Sequence, residues 1–190
     1  MAITVTPNRF ADTFGYPDPT GRAVTKLKDY MTSYVQEFIR HAPFVIMATS
    51  DADGRCDASP KGGTPGFVRV LDDRHLLLPD VAGNKLFQSY QNVDTNAHVG
   101  LLFFIPGVND TVRVNGTAAI VDKQELEQRH VALSLYEPDD RSRHLQGLLI
   151  TVQEAYGHCP RALKFSRLWD VETIQANQAN RPVSDRPYDS

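Results

Sequence analysis

Short runs of strand-forming residues, cut at close intervals by turn chemistry, constrain this chain more than any other feature in it. Phe44 to Thr49 is apolar and rich in strand formers. Asp51-Ala52-Asp53-Gly54 follows, with a glycine free to take a positive φ, so a returning strand from Arg55 to Ser59 is predicted. Phe67 to Leu71 pairs with His75 to Pro79 across Asp72-Asp73-Arg74, and His98 to Ile105 with Thr111 to Val121 across Pro106-Gly107-Val108-Asn109-Asp110. Leu148 to Ala155 supplies a last strand. Consecutive hairpins build an antiparallel sheet, and six or seven such strands lose their exposed edges by curling into a closed or nearly closed barrel. The predicted fold class is mainly β with flanking helices.

Between the strands the apolar period changes. From Arg22 to His41, apolar residues fall at Val24, Leu27, Met31, Tyr34, Val35, Phe38 and Ile39, the spacing of a helix with one buried face. Asn84 to about Asn92 places Leu86, Phe87 and Tyr90 at helical spacing, with Asn84 as cap. Asp122, with Glu125 three residues on, opens a helix expected to run toward Tyr136. Pro160 to Trp169 suggests a short helix or turn. These elements make one domain over residues 22–174, after an arm (1–21) that drapes over a surface and before a flexible tail (175–190).

Several function classes drop out on composition. A formal net charge of −3 with 23% charged residues gives no basic excess for a nucleic acid or an anionic membrane. Cys56 and Cys159 match neither a disulfide framework nor a zinc signature, which suggests a reduced, intracellular protein. The opening Met1-Ala2-Ile3-Thr4-Val5 lacks a basic segment followed by a long apolar one, and no apolar run approaches bilayer length, so a soluble cytoplasmic protein is expected. The histidines show no paired metal spacing. His158 and Cys159 are adjacent on a strand and point to opposite faces, so they do not form a nucleophilic pair.

Two loops carry the chemistry. Asp57-Ala58-Ser59-Pro60-Lys61-Gly62-Gly63-Thr64-Pro65-Gly66 joins two strand-like runs through glycines and a lysine, and Leu78-Pro79-Asp80-Val81-Ala82-Gly83-Asn84-Lys85 repeats that chemistry at an expected helix start. Exposed backbone N–H groups beside a lysine suit a phosphate-bearing cofactor.

These motifs, with Phe14-Gly15-Tyr16-Pro17, Ala42-Pro43-Phe44 and the ending His158-Cys159-Pro160-Arg161-Ala162 to Ser166-Arg167-Leu168-Trp169, resemble the pyridoxamine 5′-phosphate oxidase-like, FMN-binding split-barrel family over about Phe14 to Asp170. The resemblance is nearest to its branch of FMN-dependent proteins. It implies a six-stranded antiparallel split barrel forming a homodimer, with FMN bound at the interface by residues of both subunits. It implies that Asn84 and Lys85 hold the phosphate, that Lys61 reaches the phosphate or the ring's polar edge, that Ser59 and Gly62 bond the flavin edge, and that Pro79 borders the ring or ribitol. Thr111 corresponds to a polar ring contact, while Arg161, Lys164, Ser166 and Trp169 correspond to the C-terminal segment that reaches the cofactor held by the other protomer. Arg113 is read chiefly as architecture. The chain departs from its branch at Gly63-Thr64 and Val81-Ala82, where relatives carry an acid and a basic residue. The implied function is an FMN-dependent oxidoreductase exchanging a hydride at flavin N5 with a small-molecule substrate or with NADH or NADPH. The alternatives are a flavin or haem carrier without turnover and a deazaflavin-dependent reductase.

Overall fold

Turn chemistry sets the first hairpin of the computed structural model, which describes residues 9–81, 86–132, 134–139, 142 and 144–183. Strands β1 (Phe44–Ser50) and β2 (Cys56–Gly62) flank a turn in which Asp51 Oδ1 accepts the N–H groups of Asp53 at 2.9 Å and Arg55 at 2.8 Å. Gly54 takes φ +82°, a value that costs a side-chain-bearing residue energy. The remaining strands are β3 (Arg69–Val70), β4 (His75–Val81), β5 (His98–Phe104), β6 (Thr111–Asp122) and β7 (His144–His158). All pair antiparallel in one seven-stranded sheet of order β2-β1-β5-β6-β7-β4-β3.

The predicted class is borne out, with seven strands where the resemblance implies six; the extra one is the two-residue β3. It is shorter than the expected Phe67–Leu71 because Phe67 bonds its N–H to Thr64 O in a turn, and Phe67 and Val68 bury their side chains without joining the ladder. The sheet curls into a half-barrel. Lys61 on β2 and Asp80 on β4 touch at 2.7 Å although four strands separate them in the hydrogen-bonded order, so an open seam lies between β2 and β4.

Alternating residues of the strands fill the interior, among them Val45, Met47, Phe103, Val112, Val114, Leu76, Leu78, Leu148 and Ile150. Helix α3 (Ser33–His41) closes it with Val35, Phe38 and Ile39, the buried stripe its periodicity predicts. On the other face of the sheet, Leu77 and Val121 pack with Leu126 of α5 (Lys123–Gln128), whose Asp122 cap accepts the Glu125 N–H at 2.8 Å.

Four helical expectations need correction. The single helix over 22–41 is two, α2 (Arg22–Thr25) and α3, because Lys28 forms a bridge with Ala155 of β7, and Thr32 caps the restart by accepting the Val35 N–H. Helix α5 stops at Gln128 instead of running to Tyr136, with His130 left-handed at φ +53° just beyond it. Helix α4 (Gln88–Thr95) begins after Phe87, itself left-handed at φ +53°; the expected cap Asn84 lies outside the described residues. The expected tail is helical in its first part, since α7 (Val171–Ala179) is capped by Asp170, which accepts the Thr173 N–H at 2.9 Å. The arm contributes a short helix, α1 (Arg9–Phe14), that buries nothing, and α6 (Arg161–Ser166) follows β7 as expected.

Among the described residues no helix is long and apolar enough to cross a membrane, and no group of three or more His, Cys, Asp or Glu side chains is placed to hold a metal.

Candidate functional site

The seam between β2 and β4 opens into a cleft of about 450 Å³, bounded also by the start of α4 and by Ser134 and Leu135. Strand periodicity decides which residues of β2 face it. In the β1–β2 register Asp57, Ser59 and Lys61 stand opposite Thr49, Met47 and Val45, all buried, so these three polar residues turn inward while Ala58, Pro60 and Gly62 turn outward. A barrel strand with a polar inner face is unusual unless something polar occupies the space before it.

Lys61 Nζ donates to Asp80 Oδ2 at 2.7 Å, with the two side chains only 18% and 10% exposed. Asp80 Oδ1 also accepts the N–H of Val81 at 2.9 Å. Ser89 Oγ of α4 donates to Asp57 Oδ2 at 2.6 Å, and Asn92 Nδ2 donates to Thr49 Oγ1 at 2.9 Å, which ties the helix start to the strand. Tyr90 is 7% exposed, and its buried hydroxyl faces the Asp80 carboxylate. Burial first, and then the Asp80 charge, push this phenol far above its ordinary range, so it stays protonated and keeps a proton to donate.

The apolar part of the wall is Phe67, Pro79, Leu86 and Phe87. Thr64 binds Ser134 through both hydroxyls and by its N–H to Ser134 O at 2.8 Å. A Cβ at Gly63 would lie 2.6 Å from the Phe67 Cβ, so the loop approaches this wall only because position 63 is glycine. The arrangement is a slot with one apolar wall, a polar side along β2 and, at one end, a charge-neutral lysine–carboxylate pair beside a buried phenol. It suits a flat molecule with a polar edge.

Of the residues singled out from sequence, Ser59, Lys61, Gly62 and Pro79 all line this cleft. Asn84 and Lys85 lie outside the described residues. Thr111 is buried at the start of β6, away from the lining. Arg161, Lys164 and Ser166 are exposed on α6, and Trp169 donates its Nε1–H to Val108 O at 3.0 Å; none of the four lines the cleft of its own chain. Sequence reasoning missed Asp57, Asp80, Ser89 and Tyr90. Asp80 sits inside one of the two loops it singled out, and the alternation Asp57, Ser59, Lys61 was the available signal.

The sequence profile of the family described as Pyridoxamine 5′-phosphate oxidase matches residues 31–159. Among solved structures, the chain is similar to a protein of Lactobacillus delbrueckii provisionally assigned as a pyridoxamine 5′-phosphate oxidase, at 22% identity and TM-score 0.50, over 68% of this chain and 95% of that one. Group A Streptococcus HupZ is similar at 18% identity and TM-score 0.48, over 67% and 93% of the two chains. An F420 reductase is similar at 18% identity and TM-score 0.41, over 65% and 94%. Likeness at these identities speaks to the fold alone. No curated protein matches.

Proposed function

This chain belongs to the pyridoxamine 5′-phosphate oxidase family, and from that premise we propose that it is an FMN-dependent oxidoreductase acting as a homodimer on a small molecule. The observation that carries the reading is the buried Tyr90 hydroxyl beside the neutral Lys61–Asp80 pair, in a slot with a polar β2 side and an apolar opposite wall. A flavin ring is flat and largely apolar with one polar, uncharged edge, so its face matches the apolar wall and its edge the polar β2 side and end. When bound, flavin would supply hydride exchange at N5. The protein's part is to orient: Ser59 and Lys61 offer donors to the ring edge, and Phe67 and Pro79 hold the ring face.

The phosphate belongs elsewhere. Lys61 is balanced by Asp80, and Asp57 adds a further negative charge, so the described lining has no net positive charge to offer a dianion. Asn84 and Lys85, next along the chain from β4, are assigned this role, joined by Arg161 and Lys164 from a second copy. The homodimer is supported by the outward face of the β2-β1-β5 sheet. There Pro60, Ala58, Phe44, Ile46, Ala48, Leu102 and Phe104 form an apolar patch, with Phe44 37% exposed and its ring 6.0 Å from that of Phe104.

The purified protein should show flavin absorption bands that bleach on anaerobic mixing with NADH or NADPH. A flavin that stays oxidised under both would point to a carrier. A Soret band would point to haem, and retention of a deazaflavin in place of FMN to the corresponding reductase.

A further inference from the structure

Outside the cleft, on the outer face of β6 and β7, two cations flank one ring. Lys26 Nζ, in the link after α2, lies 4.8 Å from the centroid of Tyr156, and the Arg113 guanidinium lies 5.6 Å from it. The His158 ring packs against the same tyrosine with centroids 4.9 Å apart and planes tilted by 39°, and its Nε2 is buried with no hydrogen-bond partner. None of these residues lines the cleft. We propose that Lys26, Arg113 and His158 form a binding site for a phosphate oxyanion, separate from the flavin cleft.

The strand geometry makes the cluster. Tyr156 and His158 are two apart on β7 and so share a face, and Arg113 stands opposite Tyr156 in the β6–β7 register. Lys26 reaches the same face by donating to Gly157 O at 3.0 Å. Among the described residues neither cation pairs with a carboxylate. Arg113 donates to the Tyr156 hydroxyl at 3.0 Å and Lys26 to one carbonyl, which leaves most of their N–H donors unused. The carboxylate on this face, Glu154, is held by Asn115 Nδ2 at 2.9 Å. Tyr34, whose ring packs near Gly157, has Asp110 and Arg22 as its charged neighbours.

Two like charges gathered on one ring repel each other, and an anion between them removes that cost. A phosphate also matches the donor set, since it accepts from a guanidinium, an ammonium and a ring N–H together. His158 already registers the imbalance: burial, then Arg113, then Lys26 hold it below the ordinary histidine value. It is therefore neutral at neutral pH, with one ring N–H to donate.

The same histidine gives the test. Its ring resonance in the intact protein, assigned with His158→Gln, is followed against pH in inorganic phosphate and in chloride of equal ionic strength. Phosphate should raise the His158 titration midpoint by about half a pH unit or more, because the anion offsets both cations. Lys26→Gln and Arg113→Gln should each raise the phosphate-free midpoint and weaken phosphate binding about tenfold. Should Arg113→Gln fail to fold, Lys26→Gln, in a connecting segment, carries the comparison. Competition by FMN but not riboflavin would identify the phosphate end of a phosphorylated cofactor as the source, and competition by neither would identify a free phosphate. The proposal is overturned if the variants move the midpoint while phosphate leaves wild type where chloride does.

Discussion

Replacing Asp80 by alanine should lower the unfolding free energy by about 3–5 kcal/mol in urea titrations, the cost typical of breaking a buried ion pair from one side. Lys61 would be left 18% exposed with its charge unpaired, and the Val81 N–H would lose its acceptor. The effect comes from the orphaned charge, so removing both partners should restore most of it. Lys61→Met combined with Asp80→Leu should lie within about 1 kcal/mol of wild type. A loss under about 1 kcal/mol in Asp80→Ala would mean that the pair is solvated like an ordinary surface bridge. The seam would then be wet, and the cleft would lack the dry end that the flavin reading needs.

Gly116→Ala should be equally severe for a steric reason. A Cβ there would collide with the carbonyl oxygen of Thr151 and lie 3.0 Å from its carbonyl carbon and 3.3 Å from Val152 Cα, all backbone atoms of the paired strand. The register of β6 and β7 shifts between Asn115 and Gly116, so the glycine marks the irregularity at which the two longest strands bend around the barrel. Moving the backbone to make room would strain both strands, and the expected loss is about 3 kcal/mol or more, with an unchanged denaturant slope. Gly62→Ala is the control, because its Cβ would meet Pro43 O at an ordinary 3.6 Å. It should stay within about 0.5 kcal/mol of wild type.

What was legible in the sequence was local. Asp51 and Gly54 build their turn from within a few residues, and the capping of α5 by Asp122 needs only the next turn of helix, so both were readable in advance. The long helix over 22–41 was misread because its break comes from Ala155, far along the chain, which pairs with Lys28. The cleft was partly readable. Glycines and a lysine marked the right loop, and the inward Ser59 and Lys61 were both named. Their setting was not, because Lys61 meets Asp80 only after the sheet has curled, and that contact turns a lysine expected at the phosphate or the ring's polar edge into half of a neutral pair. Tyr90 was assigned to helical packing by its period; only the fold brings its hydroxyl against Asp80.

The most direct test is titration of cofactor-free protein with FMN, followed by flavin fluorescence, in wild type and in Ser59→Trp. Ser59 faces into the cleft, and an indole there would fill the slot. Wild type should bind stoichiometrically, and Ser59→Trp, shown to be folded by its unfolding transition, should lose at least about a hundredfold in affinity, roughly 2.7 kcal/mol. Equal binding by both proteins, or none by wild type, would contradict the assignment of this cleft to a flavin.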